Sequence, residues 1–394
     1  MTIESPASRM RRGLLRAATT LRPLALVVCP AVLPARGARA SPSPLANDPP
    51  VMIVDANRST SLGGRLPEGL AAWLRSVPDS EIRIHPSSPA IRLPEGHPVP
   101  FPNPSTGLQL VTNHVQRYTG GGIERWGLAY PVRPNGETYR VGYRFRRIYA
   151  SHLDGVPPGL LFAALLTYTA PASLSGQIVL VHEPVDFGSG RRSAWVYSAA
   201  TRRVRRAPDL AYDAVSDGSE GMLTADQVDG FNGSPDRYEW TLLGLQERVV
   251  PFGSLGLTRP GLPLSEWLGR GSVQSRWLRF ETRRVWVVEA RLRRGESHLY
   301  PRRRFHIDPD SWTILLEEAW SARGSLWRVA LHGITPLPDG LGPMTRYSIY
   351  HDLDSGSYFA TGFDDPARPL IRTGLRASMS EFMPDALRRA TPAS

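Results

Sequence analysis

Short runs in which apolar or aromatic residues alternate with charged ones dominate the chain from residue 139 to residue 360. The clearest is residues 139–146 (YRVGYRFR), where every second residue is aromatic or aliphatic and three of the intervening residues are arginine. Because successive side chains of a β-strand point to opposite faces, this period of two predicts a strand with one apolar and one charged face. The repeated pattern predicts an antiparallel sheet with one face on a core and the other in water.

Turn-forming sequences separate these runs at spacings of roughly 8 to 16 residues, as in all-β proteins. Residues 160–169 are apolar on both faces, which indicates either a fully covered strand or a short helix. Further strands are predicted at residues 176–182, 194–197, 203–207, 286–292, a return strand ending at 307, 312–320, 326–331, 347–353 and 357–360. The predicted fold class is therefore mainly β.

Only a few helices are expected. Residues 66–75 (LPEGLAAWLR) form a short amphipathic pattern with Pro67 at its start. Residues 86–104 are rich in proline and predict an extended, polyproline-like segment. Near the end, Ser378 and Glu381 have the spacing of a capping box before a short helix.

The first forty residues have the pattern of a cleavable export signal. An arginine-rich start precedes an interrupted apolar stretch at residues 21–35, and Ala38 and Ala40 are small residues at the positions that a signal peptidase reads, so we expect cleavage after Ala40. The signal fits either the Sec or the twin-arginine route. Lipidation of Cys29 is not expected, because the bulky Val28 precedes it. The expected compartment is the periplasm, with peripheral contact at the outer membrane as a further option.

This pattern divides the chain into four parts. Residues 1–40 are the cleavable signal, and residues 41–100 are a linker, a short helix and the proline-rich segment. Residues 101–378 are the antiparallel β domain, and residues 379–394 are a short helix and tail.

Composition narrows the possible chemistry. The one cysteine lies in the signal, so the mature chain has no disulfide, no cysteine nucleophile and no cysteine-ligated zinc. The net charge is +11, but residues 1–40 hold seven Arg and one Glu, which leaves +5 on the remainder. A charge of that size, with its arginines inside strands, does not indicate a nucleic-acid partner. No cofactor and no metal are predicted.

Two sets of polar residues are candidate sites. Residues 224–238 (TADQVDGFNGSPDRY) are oxygen-rich, but they lack the ligand spacing of an EF-hand, which favours side-chain capping that orders the loop over calcium binding. Motifs of zinc proteases, α/β-hydrolases and phosphate-binding loops are missing from the sequence. A hydrolytic site assembled in space from His114 and His152 with Glu183 or Asp213 stays open as a minor alternative.

Four stretches carry a resemblance to a known family: residues 100–118, 180–213, 221–244 and 281–329 (from ETRRVWVVEARLRRGESHLYPRRRFHIDPD to SARGSLWRV). They resemble a widespread family of exported proteobacterial proteins of unknown function, often labelled outer membrane lipoprotein-sorting protein-like. The resemblance implies a curved antiparallel sheet, or half-open β-barrel, wrapped around a helical plug as in LolA and LolB. It also implies a resistance-nodulation-division type transporter and an outer-membrane protein as partners.

A curved sheet with an apolar face would suit a lipid or another hydrophobic molecule. The lining candidates are Trp195, Tyr197, Trp286, Val288, Trp312 and Trp327; the alternative is that they simply fill the core. Arg203, Arg205 and Arg206 are headgroup-binding candidates, although a solvated strand edge explains them as well. The favoured function is thus a non-enzymatic periplasmic carrier. The alternatives are an envelope assembly factor that pairs by strand addition with an outer-membrane protein, and an unrecognised hydrolase.

Overall fold

Long antiparallel strands, most of them joined to the next strand along the chain, build the molecule. The coordinates are a computed structural model that describes residues 52–55, 66–77, 80–186, 192–253, 255–259, 261–340, 342–368 and 371–389. The strands are β1 (Met52–Asp55), β2 (Glu81–His85), β3 (Gly122–Val132), β4 (Val141–Tyr149), β5 (Leu153–Asp154), β6 (Leu160–Ala170), β7 (Ile178–Pro184), β8 (Ser193–Ser198), β9 (Arg203–Arg206), β10 (Tyr238–Pro251), β11 (Phe280–Leu292), β12 (Arg302–Ile307), β13 (Ile314–Trp320), β14 (Leu326–Pro336), β15 (Pro343–Asp352), β16 (Tyr358–Asp364), β17 (Ile371–Thr373) and β18 (Ala377–Ser378).

Helices are few and short within the described residues. The α-helices are α1 (Glu68–Ser76), α2 (Gly107–Gln116) and α3 (Leu264–Trp267). Single turns of 3-10 helix lie at Ala150–His152, Pro208–Ala211, Ala225–Gln227, Pro235–Arg237, Leu255–Thr258, Ser275–Trp277, Met379–Phe382 and Pro384–Arg388. The first of the predicted helices is confirmed as α1, and the predicted capping box of Ser378 and Glu381 starts the 3-10 turn that follows it.

Sixteen of the described strands form one sheet in the order β1-β2-β11-β12-β13-β14-β15-β16-β3-β4-β6-β7-β8-β9, with β10 on the free side of β11 and β17 beside β3. The pairings are antiparallel except for β2 with β11. Register shifts in several pairs mark β-bulges, which bend a sheet. The mainly β, antiparallel fold class is confirmed. Strands β1 and β2 lie within residues 41–100, for which the sequence predicts no strand.

The sheet is covered on both faces. Glu317 and Glu318 are neighbours on β13 and both are buried, so their side chains point to opposite covered faces. Glu317 hydrogen-bonds to Gln227, and Glu318 accepts a bond from the backbone amide of Gly69 in α1. We call the side of Glu317, where α2 and the segment 207–238 pack, the inner face. The side of Glu318, covered by α1 and by the C-terminal turns, is the outer face.

Position 333 on β14 has to be glycine, because an aromatic ring lies directly on it and leaves no room for a side chain. Gly333 pairs with Tyr347 of β15, and a Cβ atom at Gly333 would lie 2.1 Å from Cε1 of that ring. The Tyr347 ring is buried and stacks against Phe363 at 6.1 Å, so moving it aside would disturb that contact. We therefore expect Gly333→Ala to lower the free energy of unfolding by about 1–3 kcal/mol, as overpacking does, measured by urea denaturation.

Gly256→Ala is the matched control, because a Cβ atom there would lie 3.5 Å from the Trp277 ring, an ordinary contact. Its free energy of unfolding should stay within about 0.5 kcal/mol of the wild-type value. Equal stability of the two variants would contradict the tight packing of Tyr347 on Gly333.

Candidate functional site

A large cavity lies on the inner face, between β3, β4, β6, β7, β15 and β16 on one side and the segment 207–232 on the other. Its volume is about 540 Å³, within the range of sites that bury small-molecule ligands. The wall is formed by alternate residues of successive strands, as the period of two requires. On β4 these are Val141, Tyr143, Phe145, Arg147 and Tyr149. On β6 they are Phe162, Ala164, Leu166 and Tyr168.

Apolar side chains on this wall are half-exposed although they point into the molecule. Phe145, Leu166, Val179 and Val181 all border the cavity and are partly accessible. On the outer face, Leu180, which lies between Val179 and Val181, is fully buried. Unfilled apolar surface facing inward is the feature that a core avoids and a hydrophobic binding site needs.

Polar residues gather on the cavity wall as well. Among the residues that the structure describes, the lining holds seven arginines and four carboxylates, so positive charge is in excess. The arginines are Arg117, Arg125, Arg147, Arg192, Arg205, Arg206 and Arg346. The carboxylates are Glu183, Asp209, Asp217 and Asp229.

Asp229 is shared by two arginines. Its Oδ2 lies 2.8 Å from Nη2 of Arg117 and 3.6 Å from Nη1 of Arg147. Burial by itself would raise the pKa of Asp229, but the two guanidinium groups lower it below the ordinary range, so this residue is a carboxylate at neutral pH. Arg117 is held by α2, to which it donates a hydrogen bond at the carbonyl of His114. Asp229 therefore links the end of α2, through Arg117, to β4, through Arg147.

Arg147 lies among aromatic rings. Its guanidinium carbon is 5.8 Å from the ring centre of Phe145, 5.6 Å from that of Tyr149 and 5.5 Å from that of Phe162. Its Nη2 donates to the hydroxyl of Thr119 at 2.7 Å. This places a cation against the apolar wall of the cavity.

Glu183 and Arg192 form a closed, buried pair. Nε of Arg192 is 2.7 Å from Oε2 of Glu183, and its other nitrogens donate to the carbonyl of Leu210 and to Asn232. Burial raises the pKa of Glu183, and Arg192 opposes that shift. Because every guanidinium nitrogen of Arg192 is used, this pair fastens the segment that covers the cavity rather than presenting a free charge.

The residues considered for hydrolysis have other partners. Nδ1 of His114 lies 2.8 Å from the carbonyl of Trp312, and burial lowers the pKa of His114 to about 3. His152 contacts Ser151, Glu183 binds Arg192, and Asp213 accepts from the backbone amide of Leu299. These contacts do not bring the four residues together as an acid–base site.

One Ser–His contact does border the cavity. Nδ1 of His332 is 2.8 Å from Oγ of Ser348, and burial lowers the pKa of His332 to about 4. Its Nε2 has no hydrogen-bond partner within the described residues, so no carboxylate orients the imidazole. A histidine of such low basicity is a weak general base at neutral pH.

Three oxygen-bearing side chains of the loop 224–238 have protein partners, two of which are arginines. Asp226 binds Arg303 at 2.6 Å, Asn232 binds Arg192, and Asp236 accepts from the hydroxyl of Tyr212. The helical turn at Ala225–Gln227 has a capping box, in which Thr224 and Gln227 take part. In the parts of the chain that the structure describes, no group of three potential ligands is positioned to hold a metal ion.

The six apolar candidates from the sequence lie outside the cavity lining. Trp195 and Tyr197 flank Val196 on β8; Val196 borders the cavity, and its two neighbours point to the outer face, where they pack with Phe382 and Leu387. Trp286, Val288 and Trp312 pack against α2 on the inner face. Trp327 donates to Asp352 at 3.0 Å. Five of the six candidates thus pack in apolar clusters, and the sixth, Trp327, is hydrogen-bonded.

Two of the three arginine candidates from the sequence border the cavity. Arg203, Arg205 and Arg206 are exposed on the edge strand β9, and Arg205 and Arg206 border the cavity whereas Arg203 does not. Arg206 also lies 5.9 Å from the ring centre of Trp195. The site residues that sequence reasoning missed are the interior arginines, Arg117 and Arg147 above all. Arg147 breaks the apolar face of the β4 pattern, which was a detectable signal.

The fold and the cavity together define the class: an antiparallel β protein whose bent, open sheet encloses a chamber with apolar walls and basic residues. The chain belongs to the family of proteins of unknown function known as DUF1329, whose profile matches residues 80–388. This confirms the family resemblance read from the sequence.

Relatives agree with that membership. An uncharacterized protein of Pseudomonas aeruginosa is 36% identical over 294 residues, which cover 74% of this chain and 65% of the relative, so the match spans a little less than two thirds of the relative's length. A crystal structure of a DUF1329 family protein from Desulfovibrio piger aligns with a TM-score of 0.50 at 15% identity, over 71% of this chain and 97% of the other. A Vibrio parahaemolyticus domain, described as a candidate outer membrane lipoprotein-sorting protein, aligns with the same score at 14% identity, over 72% and 98%. These structures establish the fold alone.

No described helix is both long and apolar enough to cross a membrane. The expected signal, including Ala38 and Ala40, lies outside the described residues.

Proposed function

We propose that this protein is a carrier, or binding protein, for a lipid or another hydrophobic molecule, and that it acts by burying and releasing its ligand without covalent chemistry. The observation that carries the proposal is the cavity of about 540 Å³, walled by half-exposed apolar side chains on the inner face of β4, β6 and β7. Burial of an acyl chain there would contribute about 0.8 kcal/mol per methylene group.

The proposed setting is the periplasm, supported by the export-signal pattern of residues 1–40. The proposed partners, a resistance-nodulation-division type transporter and an outer-membrane protein, follow from the family resemblance. Exposed Arg205 and Arg206, at the border of the cavity on an edge strand, are proposed to contact lipid headgroups as the ligand enters. Arg203 would add charge to the same exposed edge.

Filling the cavity should abolish ligand binding. Leu166 projects from β6 into the cavity, between Phe145 and Val179 of the adjacent strands. We expect Leu166→Trp to weaken the binding of the fluorescent hydrophobic probe N-phenyl-1-naphthylamine by at least about tenfold, because the indole would occupy the space that the probe needs. The measurement is a fluorescence titration of the purified protein.

Thr167→Trp is the matched control, since Thr167 is the next residue on the same strand and points to the outer face, where it is half-exposed. This variant should bind the probe as the wild type does. If the wild-type protein does not bind the probe, or if both variants lose it equally, the cavity is not the site and the carrier proposal fails.

A further inference from the structure

The cavity contains more positive charge than its carboxylates neutralise. Among its four carboxylates, Glu183 forms its ion pair with Arg192 and feels Arg147 only at longer range, and Asp229 is shared by Arg117 and Arg147. Of the remaining arginines, Arg346 binds Asp364, which lies outside the lining. This arrangement leaves cations inside the chamber without a carboxylate of their own.

Arg147 is the most available of these cations. Asp229 is 2.8 Å from Arg117 but 3.6 Å from Arg147, so the carboxylate is engaged mainly by Arg117. The Nη2 of Arg147 donates to a neutral hydroxyl, and its Nε has no hydrogen-bond partner within the described residues. Its side chain is 14% exposed and borders the cavity, so the guanidinium keeps both charge and donor capacity for a ligand.

Arg125 supplies a second uncompensated charge nearby. On β3 it pairs with Phe145, two residues before Arg147 on the same face of β4, which makes the two arginines diagonal neighbours. The guanidinium of Arg125 donates to the carbonyl oxygens of Arg346 and Gly362. These neutral acceptors bind Nη1 and Nη2, and Nε has no hydrogen-bond partner within the described residues, so the charge of Arg125 stays in place.

We propose that the cavity selects amphiphiles with an anionic headgroup, a carboxylate or a phosphate, and that Arg147 binds that headgroup while the aromatic and aliphatic wall of β4 and β6 holds the chain. This inference rests on the proposed carrier function and adds the ligand class to it. Guanidinium groups suit carboxylate and phosphate because their parallel donors match two oxygens. A nearby apolar wall strengthens the charge interaction by excluding water.

Three twelve-carbon ligands that differ only in the headgroup test the proposal: dodecanol, dodecanoate and dodecyl phosphate. Each is titrated against the protein loaded with N-phenyl-1-naphthylamine, and the loss of fluorescence gives the affinity. We expect the two anions to displace the probe at concentrations about tenfold lower than dodecanol, as charge-assisted hydrogen bonds predict. The comparison of dodecanoate with dodecyl phosphate tells which anionic headgroup is preferred.

Variants of Arg147 test whether this residue causes the preference for anionic ligands. Arg147→Gln should lose most of the preference for the anions and keep the wild-type affinity for dodecanol, and Arg147→Lys should keep part of the preference because it keeps the charge. Arg144→Gln is the control: Arg144 lies on the same strand, points to the outer face and pairs with Glu124 at 2.6 Å, so selectivity should not change. If Arg147→Gln does not fold, the preference for anions is compared between the wild type and Arg147→Lys instead, and an undiminished preference in Arg147→Lys would contradict the assignment to Arg147.

The outcomes distinguish a failure of the anionic selectivity from a failure of the carrier function. Equal displacement by all three ligands would overturn the anionic selectivity and leave the carrier function intact. A preference for anions that persists in Arg147→Gln would overturn the assignment to Arg147. Failure of the wild type to bind the probe or any of the three ligands would overturn the carrier function, and the selectivity with it.

Discussion

Arg303→Met is expected to lower the free energy of unfolding by about 3–5 kcal/mol, because it would leave two buried carboxylates without their cation. The Arg303 side chain is fully buried, with Nη1 2.6 Å from Asp226 and Nε 2.8 Å from Glu317. Although burial opposes ionisation of Asp226, Arg303 and His298 hold its pKa below the ordinary range. Glu317 has a raised pKa, because it is buried and shares the same cation with Asp226. Urea denaturation at pH 7 gives the measurement.

Arg302→Met is the control for that prediction. Arg302 is adjacent on β12 and its side chain is 28% exposed, and Glu289, which it contacts, is also bound by Arg291 and Arg304. A partly solvated pair of this kind contributes little, so the loss should be about 1 kcal/mol or less. Similar losses in the two variants would mean that the network around Arg303 does not hold the loop on the sheet.

Acid is expected to begin to destabilise the protein as the pH falls below about 6.5, because three histidines are buried in the neutral form. Burial lowers the pKa of His114 and of His351 to about 3 and that of His332 to about 4. The unfolded chain takes up these protons near pH 6.5 and the folded chain does not, so stability is complete above that pH and falls as the pH decreases towards the folded pKa values. Together the three histidines contribute a slope of about 4 kcal/mol per pH unit.

Some buried carboxyl groups oppose the loss of stability that the histidines cause in acid. A histidine variant is therefore needed to isolate the contribution of one histidine. Burial raises the pKa of Glu183, Glu317 and Asp308, and these residues bind protons in the folded state first. His351→Gln should reduce the dependence of the unfolding free energy on pH by one proton, about 1 to 2 kcal/mol per pH unit between roughly pH 6 and pH 5. His351 suits the test because Nε2 lies 2.9 Å from Oγ of Ser272, a contact that an amide can replace. Urea denaturation at several pH values would show it, and an unchanged pH dependence would mean that His351 titrates normally in the folded state.

Apart from the short β2, whose residues also alternate, most strands with one apolar and one polar face were predictable from the sequence. Residues 139–146 and the hairpin of β8 and β9 are such cases, and the structure has strands at both. Several strands were not predicted, among them β1, β2, β3 and β10. β3 is buried along most of its length and shows no alternation, because α1 and α3 residues cover one face and the cavity segment covers the other.

Helix α2 was also missed, although a local signal for it exists. Thr106 accepts a hydrogen bond from the backbone amide of Gln109, and the Gln109 side chain accepts one from Ser105. A Thr followed three residues later by Gln is a known start of a helix. The proline-rich approach of residues 86–104 obscured that pattern.

The site itself depended on long-range packing. Arg192 and Asn232, which both line the cavity and are hydrogen-bonded to each other, are 40 residues apart in the chain. The apolar face of β8 could have belonged to either side of the sheet. Which face borders the cavity is decided by the segments that cover the sheet, and their placement comes from contacts between distant residues. Trp195 therefore packs on the C-terminal turns, while its neighbour Val196 borders the cavity.

The sequence by itself determined most of the alternating strands, the first helix, the last capping box and the family, because alternation, capping and motif similarity are local in the chain. The tertiary structure decided which alternate residues enclose a cavity and which of the 47 arginines lie inside it. The physical reason is that a side chain's environment is set by what packs against its face of the sheet, whereas its direction alone is set by its position along the strand.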